Sequence, residues 1–146
     1  MKIRNQVARN LRAGFSLAEL MVVIVIIGLL ATLVVPNVIK NLFVANTGKA
    51  KADIMSIDEA VKSYAVQNQM KYPESLQELV TPDQSGFAFL EGESTPKDPW
   101  GNEYIYEPPS AGSPQFKIIC YGADGVPGGE GPDMDFTNVM IRAGEI

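Results

Sequence analysis

A nearly unbroken apolar stretch occupies residues 15–35, and it contains a single ionisable side chain, Glu19. A helix needs roughly 20 apolar residues to cross a bilayer, so this stretch is long enough to span one. A charge inside such a span costs about 2.5–3.5 kcal/mol on insertion scales, which marks Glu19 as a candidate functional residue. The residues in front of the stretch include no acid and four bases: Lys2, Arg4, Arg9 and Arg12.

The charge distribution predicts how the chain is oriented in a membrane. Basic flanks stay on the cytoplasmic side, so residues 1–14 are predicted to be a cytoplasmic leader, residues 15–36 a span, and residues 37–146 an external domain. Beyond Gly14, eight basic residues stand against seventeen acidic ones, a side-chain charge of −9. This balance argues against a nucleic-acid partner. An ordinary secretory signal has an apolar region of only about 7–15 residues, so we expect this longer span to be retained.

The histidine and cysteine content limits the catalytic and metal-binding chemistry that this chain can support. The chain has no histidine and one cysteine, Cys120. The usual Ser–His and Cys–His nucleophile pairs and the commonest zinc ligand are therefore missing, and no disulfide forms within the chain. We expect Cys120 to be a small buried residue on a strand.

The chain after the span predicts a mixed α/β domain. Ile54, Ile57, Val61 and Tyr64 recur at helical spacing, so we predict one long helix over residues 15–68 whose second half buries that face. Asp58 and the neighbouring charged residues are expected to lie largely away from it. Pro36 should bend this helix. It either marks the membrane exit or is a point at which the helix bends or melts when it packs against other helices.

Shorter elements are predicted after the long helix. A turn at Tyr72 and Pro73 leads into a short helix that buries Leu76, Leu79 and Val80. Strands are predicted at residues 103–107 and 115–121, paired as an antiparallel hairpin, with Trp100 as a core anchor beneath it.

Residues 121–135 form a loop with five glycines and four acids. Close carboxylates repel one another unless protons or a cation separate them, and calcium takes six to eight oxygen ligands in tolerant geometry. The loop is not an EF-hand, because Val126 and Gly128 follow Asp124 where that motif requires Asp or Asn. The residues alone leave two interpretations open, a calcium site and a solvated acidic loop.

The junction of leader and span resembles the class III signal of type IV pilins and type II secretion pseudopilins. The resemblance rests on Gly14, Phe15 and Glu19 at the family spacing, within Gly-Phe-Ser-Leu-Ala-Glu-Leu-Met-Val-Val. It implies that a prepilin peptidase cleaves between Gly14 and Phe15 and methylates the new N-terminus of Phe15. It also implies that Glu19 pairs with the Phe15 amine of a neighbouring subunit. Without the resemblance, Glu19 is equally well explained as a carboxylate that reaches the membrane surface.

The external domain resembles the major pseudopilins of type II secretion. The matching segments are Tyr-Pro at residues 72–73, Leu-Gln-Glu-Leu at residues 76–79, Pro-Lys-Asp-Pro-Trp-Gly-Asn-Glu-Tyr at residues 96–104 and Tyr-Gly-Ala-Asp-Gly at residues 121–125. The resemblance implies an α+β pilin-like fold, in which a long N-terminal helix packs on a small antiparallel sheet with a C-terminal calcium loop. The implied calcium ligands are the side chains of Asp124, Asp133 and Asp135 and the backbone carbonyls of Tyr121 and Val126, with Glu130 left in solvent.

The implied function is that of a structural subunit of the type II secretion pseudopilus, a short periplasmic filament that exports folded proteins through the outer membrane. Its implied partners are further copies of itself, minor pseudopilins, the prepilin peptidase, and an inner-membrane assembly platform with its ATPase. The implied location is the bacterial inner membrane, spanned once, with the C-terminal domain in the periplasm. No nucleic acid is expected.

Two other functions fit parts of the sequence. A type IV pilin of a surface fibre shares the N-terminal signal, but many pilins close their C-terminal region with a disulfide, which a single Cys120 does not allow. A membrane-anchored enzyme would use Asp133 and Asp135 as an acid–base pair. Against it, the loop is rich in glycine and the chain has no histidine to assist.

Overall fold

The computed structural model describes residues 14–146, so the first thirteen residues of the expected leader lie outside the described residues. The chain divides into two compact units, with the boundary between Lys40 and Asn41. Helix α1, Leu17–Gln67, contributes its first part to one unit and its second part to the other. Its observed ends lie within two residues of the predicted ones.

In the unit that ends at Lys40, helix α1 is apolar on every side and its side chains are exposed. Its most apolar window has a mean hydropathy of 2.8, and by length and composition the helix is suited to cross a membrane. The helix continues through Pro36, although Pro36 has no N–H to donate to the carbonyl of Thr32. One residue on, the Asn37 side chain donates to the Leu33 carbonyl at 3.1 Å. The bend at Pro36 stays a prediction.

In the unit that begins at Asn41, the second part of helix α1 buries one face. The predicted face is confirmed, because Ile54, Ile57 and Val61 are at most 1% exposed and Tyr64 packs against the same core. The helix then stops at two residues in left-handed conformation, Gln69 and Met70. Neither is a glycine, and the Met70 N–H still donates to the Ala65 carbonyl at 2.7 Å, which closes the last turn.

A three-stranded antiparallel sheet covers this face. Strand β1 is Ile105–Glu107, β2 is Lys117–Cys120 and β3 is Phe136–Thr137, in the order β1-β2-β3. The predicted hairpin is confirmed, with Tyr106 opposite Ile118. Strand β1 starts later than predicted because Glu103 instead pairs with Lys97 across a tight turn. Strand β3 was not predicted, since two residues carry no periodicity.

Three short helical segments complete the domain. Helix α2, Gln77–Val80, buries Leu79 and Val80 as predicted, with Leu76 buried just before it. A 3₁₀ turn follows at Gly131–Asp133, and the last helix, α3, is Asn138–Ala143. The Thr137 side chain caps α3 by accepting from the Met140 N–H at 3.2 Å. Helix α3 was not predicted, because six residues are fewer than two helical turns.

Asp58 is fully buried, so the expectation that it lies away from the core face is wrong. Its Oδ1 accepts a hydrogen bond from the Asn138 side chain at 2.7 Å, and Asn138 in turn accepts from the Ile118 N–H at 3.0 Å. The Lys62 ammonium lies 2.5 Å from Oδ2, and Arg142 lies 3.8 Å from Oδ1. A carboxylate is tolerated in a core only when it is paired in this way, and here it ties α1 to both β2 and α3.

Candidate functional site

The predicted cleavage site lies in the segment before helix α1. Gly14, Phe15 and Ser16 are exposed and lie outside any helix or strand, and 86% of the Phe15 surface is accessible. A peptidase binds a stretch of backbone that lies outside helices and strands. The bond between Gly14 and Phe15 is in such a stretch, and cutting it leaves α1 intact because the helix begins at Leu17.

Glu19 and Ser16 cap the start of helix α1 with a reciprocal pair of hydrogen bonds. The Ser16 N–H donates to Glu19 Oε2 at 2.7 Å, and the Glu19 N–H donates to Ser16 Oγ at 3.2 Å. This is a capping box, which satisfies two backbone N–H groups that the helix itself leaves without partners. The signal, Ser followed three residues later by Glu, stands in the sequence and was missed. Glu19 therefore has a local structural role besides those predicted for it.

The acidic loop, residues 121–135, is folded tightly back on itself. The Ala123 N–H donates to the Pro132 carbonyl at 3.0 Å, which joins its two limbs. Gly122 and Gly129 both press on Asp133, where an added Cβ would lie 2.7 Å and 2.5 Å from its backbone. Both glycines also have positive φ, +67° and +108°. Only glycine fits these two positions, for reasons of space and of conformation.

The four carboxylates of the loop differ in exposure and in hydrogen-bond partners. Asp124 is exposed, and its Oδ1 accepts from the Val126 N–H at 3.2 Å, which closes a local turn. Asp135 accepts from the Gly128 N–H at 2.7 Å through Oδ2, while its Oδ1 is buried without a hydrogen-bond partner. Asp133 is partly buried, and Glu130 is exposed. Asp135 is thus the residue whose environment most needs a further partner.

Calcium fits this loop only with a mixed set of ligands. Among residues 14–146, no three acidic or cysteine side chains are grouped so as to hold a metal ion. Calcium, however, readily combines one or two carboxylates with backbone carbonyls and water. The buried, unpartnered Oδ1 of Asp135 is an oxygen of the kind that such an ion would satisfy.

A rigid turn at residues 98–102, here called the Asp98 turn, stands beside the acidic loop. Asp98 is buried, and its Oδ1 accepts from the N–H groups of Trp100 and Asn102 at 3.0 Å and 2.8 Å. The Asn102 side chain then donates to the Gly122 carbonyl of the loop at 3.3 Å. Sequence reasoning had assigned no role to Asp98 or Asn102, although Asp at the head of a turn is a familiar signal.

Cys120 is buried on strand β2, as predicted, with its Sγ 3.5 Å from Asp98 Oδ2. Burial, with a smaller contribution from the charge of Asp98, raises the pKa of the Cys120 thiol to about 12. A protonated thiol is a poor nucleophile, so this cysteine is structural. Trp100 packs against the core in the same turn but is only partly buried, so the prediction of a core anchor is confirmed in part.

Comparisons with known proteins cover almost the whole chain. The family described as "Type II secretion system (T2SS), protein G" matches residues 37–139, and the "Prokaryotic N-terminal methylation motif" matches residues 9–35. The Type II secretion system core protein G of Vibrio cholerae serotype O1 is 39% identical over 142 residues, which cover 90% of this chain and 94% of that protein. The protein of the same name from Pseudomonas aeruginosa is 38% identical over 141 residues, covering 89% of this chain and 96% of its own length.

A solved structure agrees with these matches. The crystal structure of the major pseudopilin from the type 2 secretion system of enterohaemorrhagic Escherichia coli matches with a TM-score of 0.53 at 28% identity, covering 72% of this chain and 96% of that one. The pilin-like fold predicted from the sequence is thereby confirmed, and the apolar N-terminal helix fits a membrane-anchored subunit. The chain belongs to the type II secretion system protein G family.

Proposed function

We propose that this chain is the major structural subunit of a type II secretion pseudopilus, a short filament whose assembly drives folded proteins through the outer membrane. The observation that carries the proposal is the combination of two matches in one chain. An N-terminal methylation motif spans residues 9–35, and a protein G domain spans residues 37–139. The motif alone does not separate a pseudopilin from a type IV pilin of a surface fibre, whereas the domain favours the pseudopilin.

The processing step fits the local structure of the N-terminal segment. A prepilin peptidase would cleave between Gly14 and Phe15 and methylate the freed amine of Phe15. The cut removes the four basic side chains that would otherwise hold the N-terminus at the cytoplasmic surface. Because basic flanks stay on the cytoplasmic side, the leader would lie in the cytoplasm and residues 37–146 in the periplasm. The span at residues 15–36 then anchors the subunit in the inner membrane until it is extracted into the filament.

Glu19 would guide assembly by pairing with the Phe15 amine of a neighbouring subunit. A lone carboxylate among apolar helices is costly, and an opposite charge offsets that cost and fixes the axial register of the two helices. The capping bond from Ser16 uses Oε2, so Oε1 of the same carboxylate is available to the neighbour's amine while the helix start stays capped. The exposed apolar surface of residues 17–35 would form the filament core with further copies.

Calcium is the cofactor that we propose for the acidic loop. Asp135 would bind it through the buried Oδ1, together with the carbonyls of Tyr121 and Val126. The side chains of Asp124 and Asp133, which are not grouped with Asp135 around one point in this structure, would turn toward the ion when it binds. The bound ion would neutralise the carboxylates and hold the two limbs of the loop together. This role is structural, and a structural rather than enzymatic function is the one that we propose for the whole chain.

Minor pseudopilins and an inner-membrane platform with its ATPase would be the partners of this chain in assembly.

Complementation tests the function directly. In a bacterium that lacks its own major pseudopilin, the full chain should be shortened at Gly14, carry a methylated Phe15 by mass spectrometry, and restore secretion of a folded reporter enzyme. Glu19→Ala should enter the membrane normally but restore little secretion, whereas Glu59→Ala, which removes an exposed acid outside the span, should restore most of it. Long surface fibres at native expression without restored secretion would instead favour the type IV pilin.

Calcium binding is tested by thermal unfolding of the full chain in detergent. We expect calcium, but not magnesium, to raise the melting temperature, and Asp135→Asn to abolish most of that rise. Glu130→Gln is the matched control, because Glu130 lies in the same loop and is exposed. Equal calcium responses in the native chain and the Asp135→Asn variant would contradict the proposed ligand set.

A further inference from the structure

We propose that Asn102 is a positioning residue for the acidic loop: it does not bind the calcium ion but holds the first limb of the loop in the geometry that the ion requires. The inference rests on the proposed calcium site. It is carried by contacts between the Asp98 turn and the two glycines, Gly122 and Gly125, that flank Asp124 on the loop.

The Asp98 turn is a rigid support. Asp98 Oδ1 accepts from two backbone N–H groups of the turn, and the Asp98 N–H donates to the Asn102 carbonyl at 2.9 Å. The Gly101 N–H adds a bond to the Asp98 carbonyl at 3.0 Å. The backbone of Asn102 is therefore fixed through both its N–H and its carbonyl, and Asp98 itself is buried. The position of the Asn102 backbone is thus set by groups outside the acidic loop.

Asn102 meets the loop at two points. Its Nδ2 donates to the Gly122 carbonyl at 3.3 Å. A Cβ added to Gly125 would lie only 2.9 Å from the Asn102 carboxamide, so the side chain sits directly on the Gly125 backbone. These contacts stand on either side of Ala123 and Asp124, and they immediately follow Tyr121. Asn102 thus fixes the segment that carries three of the proposed ligand groups, namely the Tyr121 carbonyl, the Asp124 carboxylate and the Val126 carbonyl.

The second limb of the loop is held differently. Asp133 is pressed between Gly122 and Gly129, and the Gly128 N–H bonds to Asp135. These contacts lie within the loop, whereas the Asn102 contacts join the loop to the Asp98 turn. Partners that orient metal ligands without touching the ion typically contribute about 10- to 100-fold to metal affinity. We expect an effect of that size from Asn102.

The test is calcium titration of the full chain in detergent, followed through Trp100 fluorescence and through thermal unfolding with calcium or with a chelator. Trp100 is the only tryptophan and lies in the Asp98 turn itself. Asn102→Ala should weaken calcium binding about 10- to 100-fold, so that the melting temperature gains much less from calcium. The control is Asn68→Ala, which also removes one side-chain bond to a backbone carbonyl, at 2.9 Å to Tyr64, away from the loop. It should shift the melting temperature equally with and without calcium.

A second variant guards against a simple folding defect. Asn102→Leu keeps a side chain of similar size and the backbone bonds to Asp98, removes the donor to Gly122 and adds no charge beside the calcium site. It should weaken calcium binding as Asn102→Ala does. Unchanged calcium affinity in either variant, or an equal loss in Asn68→Ala, would overturn the positioning role while leaving the calcium site intact. If the native chain gains no stability from calcium, the calcium proposal itself fails, and the positioning role fails with it.

Discussion

The two units of this protein use the same helix in opposite ways. Up to Lys40, helix α1 is apolar on all sides and exposes nearly all of that surface, including Leu29 and Leu33. From Asn41 onward it is one-sided, and the sheet and the short helices of the same unit bury its apolar face. The first unit makes sense only in a bilayer or among other apolar helices, whereas the second unit has a core of its own.

Polar groups show the same difference. In the first unit the described side-chain hydrogen bonds are local, such as Thr32 Oγ1 to the Leu29 carbonyl at 2.7 Å. In the second unit, Asn138 joins elements that are 20 and 80 residues apart in the chain. In the second unit, removing one buried side chain should therefore lower the free energy of unfolding. In the first unit, a substitution of the same type should change that free energy little.

The largest expected difference is between two leucines. Leu79→Ala removes a fully buried side chain from the core and should lower the free energy of unfolding by about 3–5 kcal/mol. Leu29→Ala changes an exposed side chain of the first unit and should alter that free energy by less than about 0.5 kcal/mol. Urea unfolding in detergent, followed by Trp100 fluorescence, measures both. Comparable losses of unfolding free energy in the two variants would contradict the difference between the two units.

Asp58→Ala should follow, with a loss of about 2–3 kcal/mol, because it leaves the buried amide of Asn138 without its acceptor. Lys62 and Arg142 are partly exposed and can turn to water, which limits the loss. Glu59→Ala, the next residue and exposed, is the control and should be nearly neutral. The same unfolding measurement applies, and a neutral Asp58→Ala would show that the buried network is dispensable.

Alanine at two glycines should act with opposite signs. Gly122→Ala places a Cβ 2.7 Å from the Asp133 backbone at a φ of +67°, which should destabilise the second unit by about 2 kcal/mol. Gly28→Ala adds a Cβ to open space on a helix and should favour that helix by about 0.5–1 kcal/mol. Helix content by circular dichroism and thermal unfolding report the two effects. Destabilisation by Gly28→Ala would reveal a close contact at that glycine.

The smallest effect concerns pH. Because burial raises the pKa of Cys120 from 9.0 to about 12, the folded thiol stays protonated where the unfolded thiol ionises. This contribution to stability is complete below pH 9 and is lost as the pH rises toward 12. We expect Cys120 to resist alkylation at pH 9 in the folded chain and to react in urea. A thiol introduced as Ala52→Cys, on the exposed face of α1, should react in both states, and equal protection of the two thiols would contradict this account.

Elements with a repeating pattern could be predicted from the sequence. The long helix, the face with Ile54 and Ile57, and the β1–β2 pair all have enough residues to display a period. Strand β3 and helix α3 do not, since they contain two and six residues. Asp58 was misplaced for a related reason: a charged residue is expected in solvent, and its partner Asn138 lies 80 residues away. The capping box, by contrast, was legible as Ser16 and Glu19 and was overlooked.

The acidic loop shows what amino-acid composition can predict about a binding site and what it cannot. Its glycines and acids left a calcium site and a solvated acidic loop both open, and the family resemblance favoured calcium and supplied a ligand set. Which carboxylate lacks a partner depends on how the chain folds back, and only the structure shows that this is Asp135. The support that Asn102 gives to Gly122 spans 20 residues of sequence and has no local signal.

The sequence by itself determined the apolar helix, the predicted processing site, the one-sided second half of α1, and a domain of the pseudopilin type. The apolar helix and its one-sided second half follow from local composition and period, which neighbouring residues carry together, whereas the processing site and the pseudopilin type of the domain were inferred from the family resemblance. The tertiary structure decided which polar groups are buried and paired: Asp58 with Asn138, Asp98 with Cys120, and Asn102 with the acidic loop. Such pairs form between residues distant in the chain, because burial of a polar group is stable only where folding brings it a partner.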